Sequence, residues 1–286
     1  MPVEFKPYKI KLRARTMGVG KTLVALTLSL LLGSGGAMSA DFNKGLEAYF
    51  LDDYQTALSA WEPLAERGNA AAQYNVGLLY RLGKGVAQND RAAVKWYALA
   101  AQQASAEAQF NLGFMYDYGY GVPENDSASV KWYTLAAEQG HAQAQANLGV
   151  MNRLGEGVPQ NDKEAIKWYT LAALQGLAEA QNNIGVMYYD GTGVPQNYEL
   201  AVTWYTLAAH QGLADAQLNL AHMFRFGRGV LIDYVQSYMW YNLSAYNDPK
   251  LSGTYKAEMA KSMTYAEVTE AQNRSSHCLR NHYNAC

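Results

Sequence analysis

The chain has 286 residues, of which 23 are basic and 25 acidic, giving a formal net charge of −2, and 49% are hydrophobic. That balance argues against a polyanion binder, since affinity for nucleic acid comes largely from neutralised phosphates. The only two cysteines, Cys278 and Cys286, stand at the far end, which excludes a bacterial lipoprotein anchor near the start.

Residues 1–40 read as a secretory signal. Lys6, Lys9, Lys11, Arg13, Arg15 and Lys21 precede an apolar run from Leu23 to Leu32 and small residues from Gly33 to Ala40, which is the order of charge, core and cleavage site. Met17 would serve as an alternative start, and cleavage is expected after Ser39 or Ala40, or after Ala37. The core falls short of the roughly 20 apolar residues that span a bilayer, so no stable membrane insertion is expected after cleavage. With the segment removed, 17 basic and 24 acidic residues remain, a net charge of −7, and nucleic acid is not an expected partner. Gly18-Val-Gly-Lys-Thr22 is no phosphate loop, because Arg15 stands where the motif needs a glycine and no strand precedes it.

Residues 42–68 form a short hairpin pattern with Gly45, Ala48, Tyr49, Tyr54 and Ala57, turning at Asp53. Its Trp61 lies 36 residues before Tyr97. Five copies of one 36-residue unit follow, starting at Asn69, Ser105, His141, Leu177 and Leu213. Each has two alanine columns (Ala70 and Ala72 in the first copy), a glutamine (Gln73 to Gln217), an asparagine (Asn75, Asn111, Asn147, Asn183, Asn219) and a glycine (Gly77, Gly113, Gly149, Gly185, replaced by Ala221). The helical spacing predicts a first helix ending at Gly83 and its equivalents. A loop of the form Gly-x-Gly-Val-Pro-x-Asn then leads to an asparagine N-cap (Asn89, Asn125, Asn161, Asn197). A second helix carries Trp-Tyr-x-Leu at Trp96, Trp132, Trp168, Trp204 and Trp240, and closes on Gly140, Gly176 or Gly212. Each unit is thus an antiparallel helical hairpin. Periodicity at this length means stacked units that bury their apolar faces only against neighbours.

In the tail, Leu231 and Ile232 replace the usual Pro-Gln. A polar, irregular stretch from Asn247 to Thr254 is expected before helices over about 255–262 and 265–279, the latter begun by Met263-Thr264 ahead of Glu267. Cys278 and Cys286 form an even pair in an exported chain, and the reading adopted is a disulfide. Eight residues of unbroken helix would hold them about 12 Å apart, so the tail must fold back after about Arg280. A metal cluster of Cys278, His282 and Cys286 is the alternative and a loose tail the remainder; no metal and no cofactor are assigned.

The Ala-x-Ala-Gln start, the Leu-Gly pair, the Gly-x-Gly-Val loop and the Trp-Tyr-x-Leu-Ala-Ala helix resemble Sel1-like repeats, relatives of the tetratricopeptide repeat, over roughly Phe42 to Tyr246. The resemblance implies an all-α fold, a right-handed α-solenoid of antiparallel hairpins. Its expected parts are a tetratricopeptide-like cap over 41–68, five repeats over 69–248 and a helical cap and tail over 249–286.

Function is expected where copies differ. In each first helix the varying positions share one side: Tyr74, Phe110, Asn182; Leu78, Phe114, His222; Arg81, Asp117, Arg153, Tyr189, Arg225. The resemblance places first helices on a concave surface, which implies a groove for a protein or peptide. Beside the stripe run Asn75, Asn111, Asn147, Asn183 and Asn219, whose amides could grip an extended peptide or satisfy the neighbouring hairpin; both remain open. The tryptophan and tyrosine columns, nearly invariant, are read as packing. His141, His210, His222, His277 and His282 are scattered and no nucleophile–base arrangement is evident, so no catalytic residue is assigned. The expectation is a non-enzymatic, periplasmic or secreted adaptor. The alternatives are a carbohydrate or peptidoglycan-associated protein, using tyrosines as stacking platforms, and a hydrolase acting through a groove residue such as His222.

Overall fold

The computed structural model describes residues 36–284 and 286; the signal expected over 1–40 lies outside them, apart from its last five residues. Among the described residues the secondary structure is entirely helical. The helices are α1 Gly36–Phe50, α2 Tyr54–Glu66, α3 Ala70–Leu82, α4 Asp90–Gln102, α5 Ala106–Tyr118, α6 Asp126–Glu138, α7 Ala142–Leu154, α8 Asp162–Leu174, α9 Ala178–Asp190, α10 Tyr198–Ala209, α11 Ala214–Phe226, α12 Tyr234–Asn247, α13 Pro249–Ala260 and α14 Tyr265–Arg280. They pair as hairpins in chain order. Two compact units result, one of 36–148 with 155–159, the other of 149–154 with 160–286.

Local chemistry sets the boundaries. Asn89 accepts a hydrogen bond from the Ala92 amide at 3.0 Å and Asn125 from Ala128 at 2.9 Å, so each loop asparagine satisfies an amide that the helix leaves orphaned. At the other end Gly83 takes a left-handed conformation, φ 64° and ψ 35°, which a side chain would resist. The stretch expected to be irregular differs: α13 begins at Pro249, because Asp248 accepts from the Lys250 amide at 3.0 Å and proline occupies the first turn, where its missing N–H costs nothing. Thr264 and Glu267 form a reciprocal capping box at the start of α14.

The hairpins close on the tyrosine column. Tyr97, Tyr133, Tyr169, Tyr205 and Tyr241 are each fully buried, and in the first four copies the ring lies on a helix backbone bared by glycine. A Cβ on Gly113 would come within 2.7 Å of the Tyr133 ring, and one on Gly149 or Gly185 within 2.5 Å of Tyr169 or Tyr205. In the first hairpin Trp61 lies against Gly45 in the same way and donates its indole N–H to the Phe42 carbonyl at 3.1 Å. The tryptophan column packs less than its near-invariance implied. Trp96, Trp132, Trp168 and Trp204 are half-buried and only Trp240, in the last copy, is buried, and Leu99, Leu171 and Leu207 are 36%, 46% and 47% exposed. With Ala93, Tyr97 and Ala100 facing the first helix, neighbours one residue before and two after the tyrosine turn about 100° and 200° away.

Two sets of contacts join one hairpin to the next. At the turn end, Gln73, Gln109, Gln145, Gln181 and Gln217, all buried, donate to the carbonyls of Ala65, Ala101, Ala137, Ala173 and Ala209 at 3.0 to 3.2 Å. Their own oxygens accept from the end of the second helix of the same hairpin, so that each glutamine ties that end to the hairpin before: Gln103 to Gln73 at 2.8 Å, Gln139 to Gln109 at 2.7 Å, Gln211 to Gln181 at 2.8 Å and Asn247 to Gln217 at 2.9 Å. At the loop end the second glycine meets the start of the preceding second helix. Gly157, with φ +69°, leaves only 2.5 Å between a would-be Cβ and the Asp126 carbonyl, so both its backbone angle and its missing side chain are required.

Truncation of the core ring should therefore cost far more than truncation of its neighbour. Tyr133→Ala is expected to lose about 3 to 5 kcal/mol in urea unfolding, and Trp132→Ala less than about half of that; equal losses would contradict the half-buried placement of Trp132.

Candidate functional site

The side chains that vary between copies lie on α3, α5, α7, α9 and α11, which are equal in length and end alike at left-handed glycines, so that equivalent positions stay in register. Of the sixteen residues singled out in the sequence, twelve are buried: Asn75, Leu78, Phe110, Asn111, Phe114, Asp117, Asn147, Asn182, Asn183, Tyr189, Asn219 and His222. Tyr74, Arg81, Arg153 and Arg225 are half-buried. The stripe expected to face solvent is thus a packed floor with a partly open rim. Several of the floor residues, Phe110, Asp117 and His222 among them, reach the next helix.

In the unit formed by 36–148 with 155–159, the Tyr74 ring lies 5.9 Å from Tyr97 and its phenol pKa is pushed up by burial and then by Glu107. Phe110 lies 5.7 Å from Tyr133 and stacks on His141 at 4.4 Å. Next to these, α3, α5 and the following loop bring together a cation and three rings. The Arg81 guanidinium stands 4.6 Å from the Tyr120 ring centre and 5.8 Å from Phe114, while Tyr118 and Tyr120 stack at 5.9 Å with planes 15° apart. Tyr120, which the sequence reading passed over because it sits in the variable loop position, is 38% exposed. Arg81 also pairs with Asp90 at 3.7 Å. Asp117 accepts from the Tyr133 hydroxyl at 3.3 Å.

In the unit formed by 149–154 with 160–286, the remaining arginines of the column are paired as well, Arg153 with Asp190 at 3.8 Å and Arg225 with Glu258 at 3.7 Å. These are long, partly solvated pairs of small energetic weight. Tyr189 lies 5.3 Å from Tyr198, with Arg228 5.1 Å above its ring. The asparagine column has partners within the chain. Asn219 donates to Asn182 at 2.9 Å, and in the other unit Asn111 donates to the Glu107 carbonyl at 2.8 Å.

His222 is 2% exposed. Its Nδ1 shares a hydrogen bond of 2.7 Å with the Tyr241 hydroxyl, and Tyr255 meets its ring edge-on at 4.9 Å. Burial first, and then the Arg225 charge, press its pKa down to about 4. Burial pushes the Tyr241 phenol up to about 12, so the hydroxyl keeps its proton and donates to a neutral imidazole. This geometry holds the end of the array and leaves the ring out of reach of a substrate. Cys278 and Cys286 are joined by a disulfide, with Cα atoms 4.8 Å apart, made reachable by a fold-back of the chain after Arg280. Among the described residues no three His, Cys, Asp or Glu side chains converge as metal ligands, and no helix is long and apolar enough to cross a membrane.

Because the folded-state pKa of His222 lies below its ordinary 6.5, the unfolded chain takes up the proton first. Its contribution is intact above about pH 6.5 and is lost as the pH falls toward 4, a total of about 3 kcal/mol. His222→Gln, which keeps a partner for Tyr241 but cannot titrate, should lose about 2 to 3 kcal/mol less than the parent between pH 7 and pH 4 in urea titrations. His141, also lowered by burial, leaves a smaller dependence of the same sign. Parallel curves for the two proteins would contradict a neutral, buried His222.

Comparison with known proteins agrees with this architecture. The Sel1 repeat model matches residues 70–105, 106–141, 142–177, 178–213 and 214–249. Among solved structures, a Sel1 repeat protein from Oxalobacter formigenes is 38% identical, with 73% of this chain and 83% of that one covered and a TM-score of 0.70. The protective antigen c5321 of uropathogenic Escherichia coli, displaying an SLR fold, is 25% identical over 86% of this chain and 69% of that one, TM-score 0.43. An immunity protein of Pseudomonas aeruginosa, Pa5087, is 20% identical over 77% and 86%, TM-score 0.45. A search of curated proteins found no match.

Proposed function

Since the chain belongs to the Sel1 repeat family, we propose that it is an exported, non-enzymatic adaptor that docks a protein or peptide partner along the rim of its first helices. The observation that carries this reading is the cluster of Arg81, Phe114, Tyr118 and Tyr120, where a half-buried cation and an exposed ring stand above a packed floor. Arginine and tyrosine held rigid at a partly desolvated site are the residue types that dominate interface energetics. Rim residues make the direct contacts, and the buried residues of the same columns, Phe110, Asn111, Phe114, Asp117, Asn182 and Tyr189 among them, set the shape on which the rim stands. Export rests on the order of charge, apolar core and small residues over 1–40 and accords with the disulfide. The partner is met in the periplasm or outside the cell, as part of an envelope complex or a regulatory contact.

A second reading, binding of a carbohydrate or peptidoglycan fragment, is favoured by the near-parallel pair Tyr118 and Tyr120, a ready stacking platform. One experiment separates the two. Cross-linking with the mature protein in envelope extracts should recover a defined protein, and an Arg81→Ala/Tyr120→Ala variant with unchanged melting should recover about tenfold less, the effect of losing about 1.4 kcal/mol of binding. Unchanged recovery overturns the rim assignment, and loss of tyrosine fluorescence on titration with soluble cell-wall fragments, without a protein cross-link, favours the second reading.

A further inference from the structure

The hydrogen-bonded glutamine chain does not stop at the last repeat. Asn247, which donates to Gln217, is itself bonded to the Tyr283 hydroxyl, accepting at 3.0 Å and donating at 2.8 Å. Tyr283 lies in the tail beyond the five matched repeats. Its ring also covers the turn before α11, where a Cβ on Gly212 would come within 3.0 Å of it. Tyr283 reaches this place through two left-handed residues other than glycine, His282 at φ 49° and Tyr283 at φ 64°, a conformation that persists only when its surroundings impose it. The bond between Cys278, fully buried in the core of the terminal hairpins, and Cys286 encloses both.

We propose that the Cys278–Cys286 disulfide is a redox-sensitive latch that holds Tyr283 against Asn247 and the turn at Gly212, so that reduction unpins the end of the array. The sulfur of Cys286 is the accessible one. It borders a cleft of about 400 Å³ lined also by Asn273, Arg274 and His277, through which a reductant can reach it. A dithiol reductant supplies what the step needs. One thiolate attacks Cys286 Sγ, forming a mixed disulfide and expelling Cys278 as a thiolate that takes a proton; the second thiol of the reductant then displaces Cys286. The S–S bond of the protein gains two electrons and two protons, and the reductant leaves as its own disulfide.

Hydrogen exchange on the full chain tests this, with oxidised protein, protein reduced by dithiothreitol after folding, and oxidised Tyr283→Phe compared. Reduction is expected to speed exchange at residues 209–217 and 244–250 by about tenfold, with residues 70–140 unchanged. Tyr283→Phe, its disulfide intact, should give a smaller rise at the same places. The latch is overturned if reduced and oxidised protein exchange alike there, if the rise is uniform along the chain, or if Tyr283→Phe changes nothing.

Discussion

A tyrosine ring pressed on a bared helix backbone sets the geometry on which everything else here depends. With glycine in the first helix, the ring of Tyr97, Tyr133, Tyr169 or Tyr205 approaches to a distance no Cβ would permit, and that close approach brings the two helices of a hairpin near enough for small alanines to fill the remaining space. In the last hairpin Ala221 replaces the glycine, and Tyr241 there is hydrogen-bonded to His222. The buried glutamines then tie each hairpin to the one before it. A buried amide without partners costs about 1 to 3 kcal/mol, so the same side chain that bridges a junction penalises any arrangement in which that junction opens.

These demands consume the invariant positions. The variable ones are not simply free. Phe110, Asn182 and His222 have found partners inside the chain, and the arginines of the column already face acids or rings. What remains partly open is a rim whose side chains are positioned by that floor, and positioning of this kind reduces the entropy a binding contact must overcome.

Much of this was legible in the residues. The period, the loop glycines and the asparagine caps are local signals, and they predicted hairpins of the right length and order. Two features were harder to read. Trp96 and its equivalents recur as strictly as the tyrosines, yet recurrence does not distinguish a fully buried face from its flank, which depends on helix rotation against the neighbour. The donors Gln103, Gln139 and Gln211 also recur every 36 residues, but at the end of a helix a lone glutamine looks like solvated surface. Only their distance to Gln73, Gln109 and Gln181 reveals a bridge. Likewise Asn111 and Asn219 carried two readings in sequence, since an amide is equally suited to a peptide or to a neighbouring side chain.

The sequence by itself determined the repeating helical hairpin, its capping and the family resemblance, because these follow from spacing within 36 residues and from backbone preferences of single residues. Tertiary structure alone decided which of the variable side chains are accessible, which amides are already satisfied, and that Tyr283 returns to the last repeat. Each of these rests on distances between residues 16 to 37 positions apart in the chain, and no local rule encodes how far one helix turns against the next.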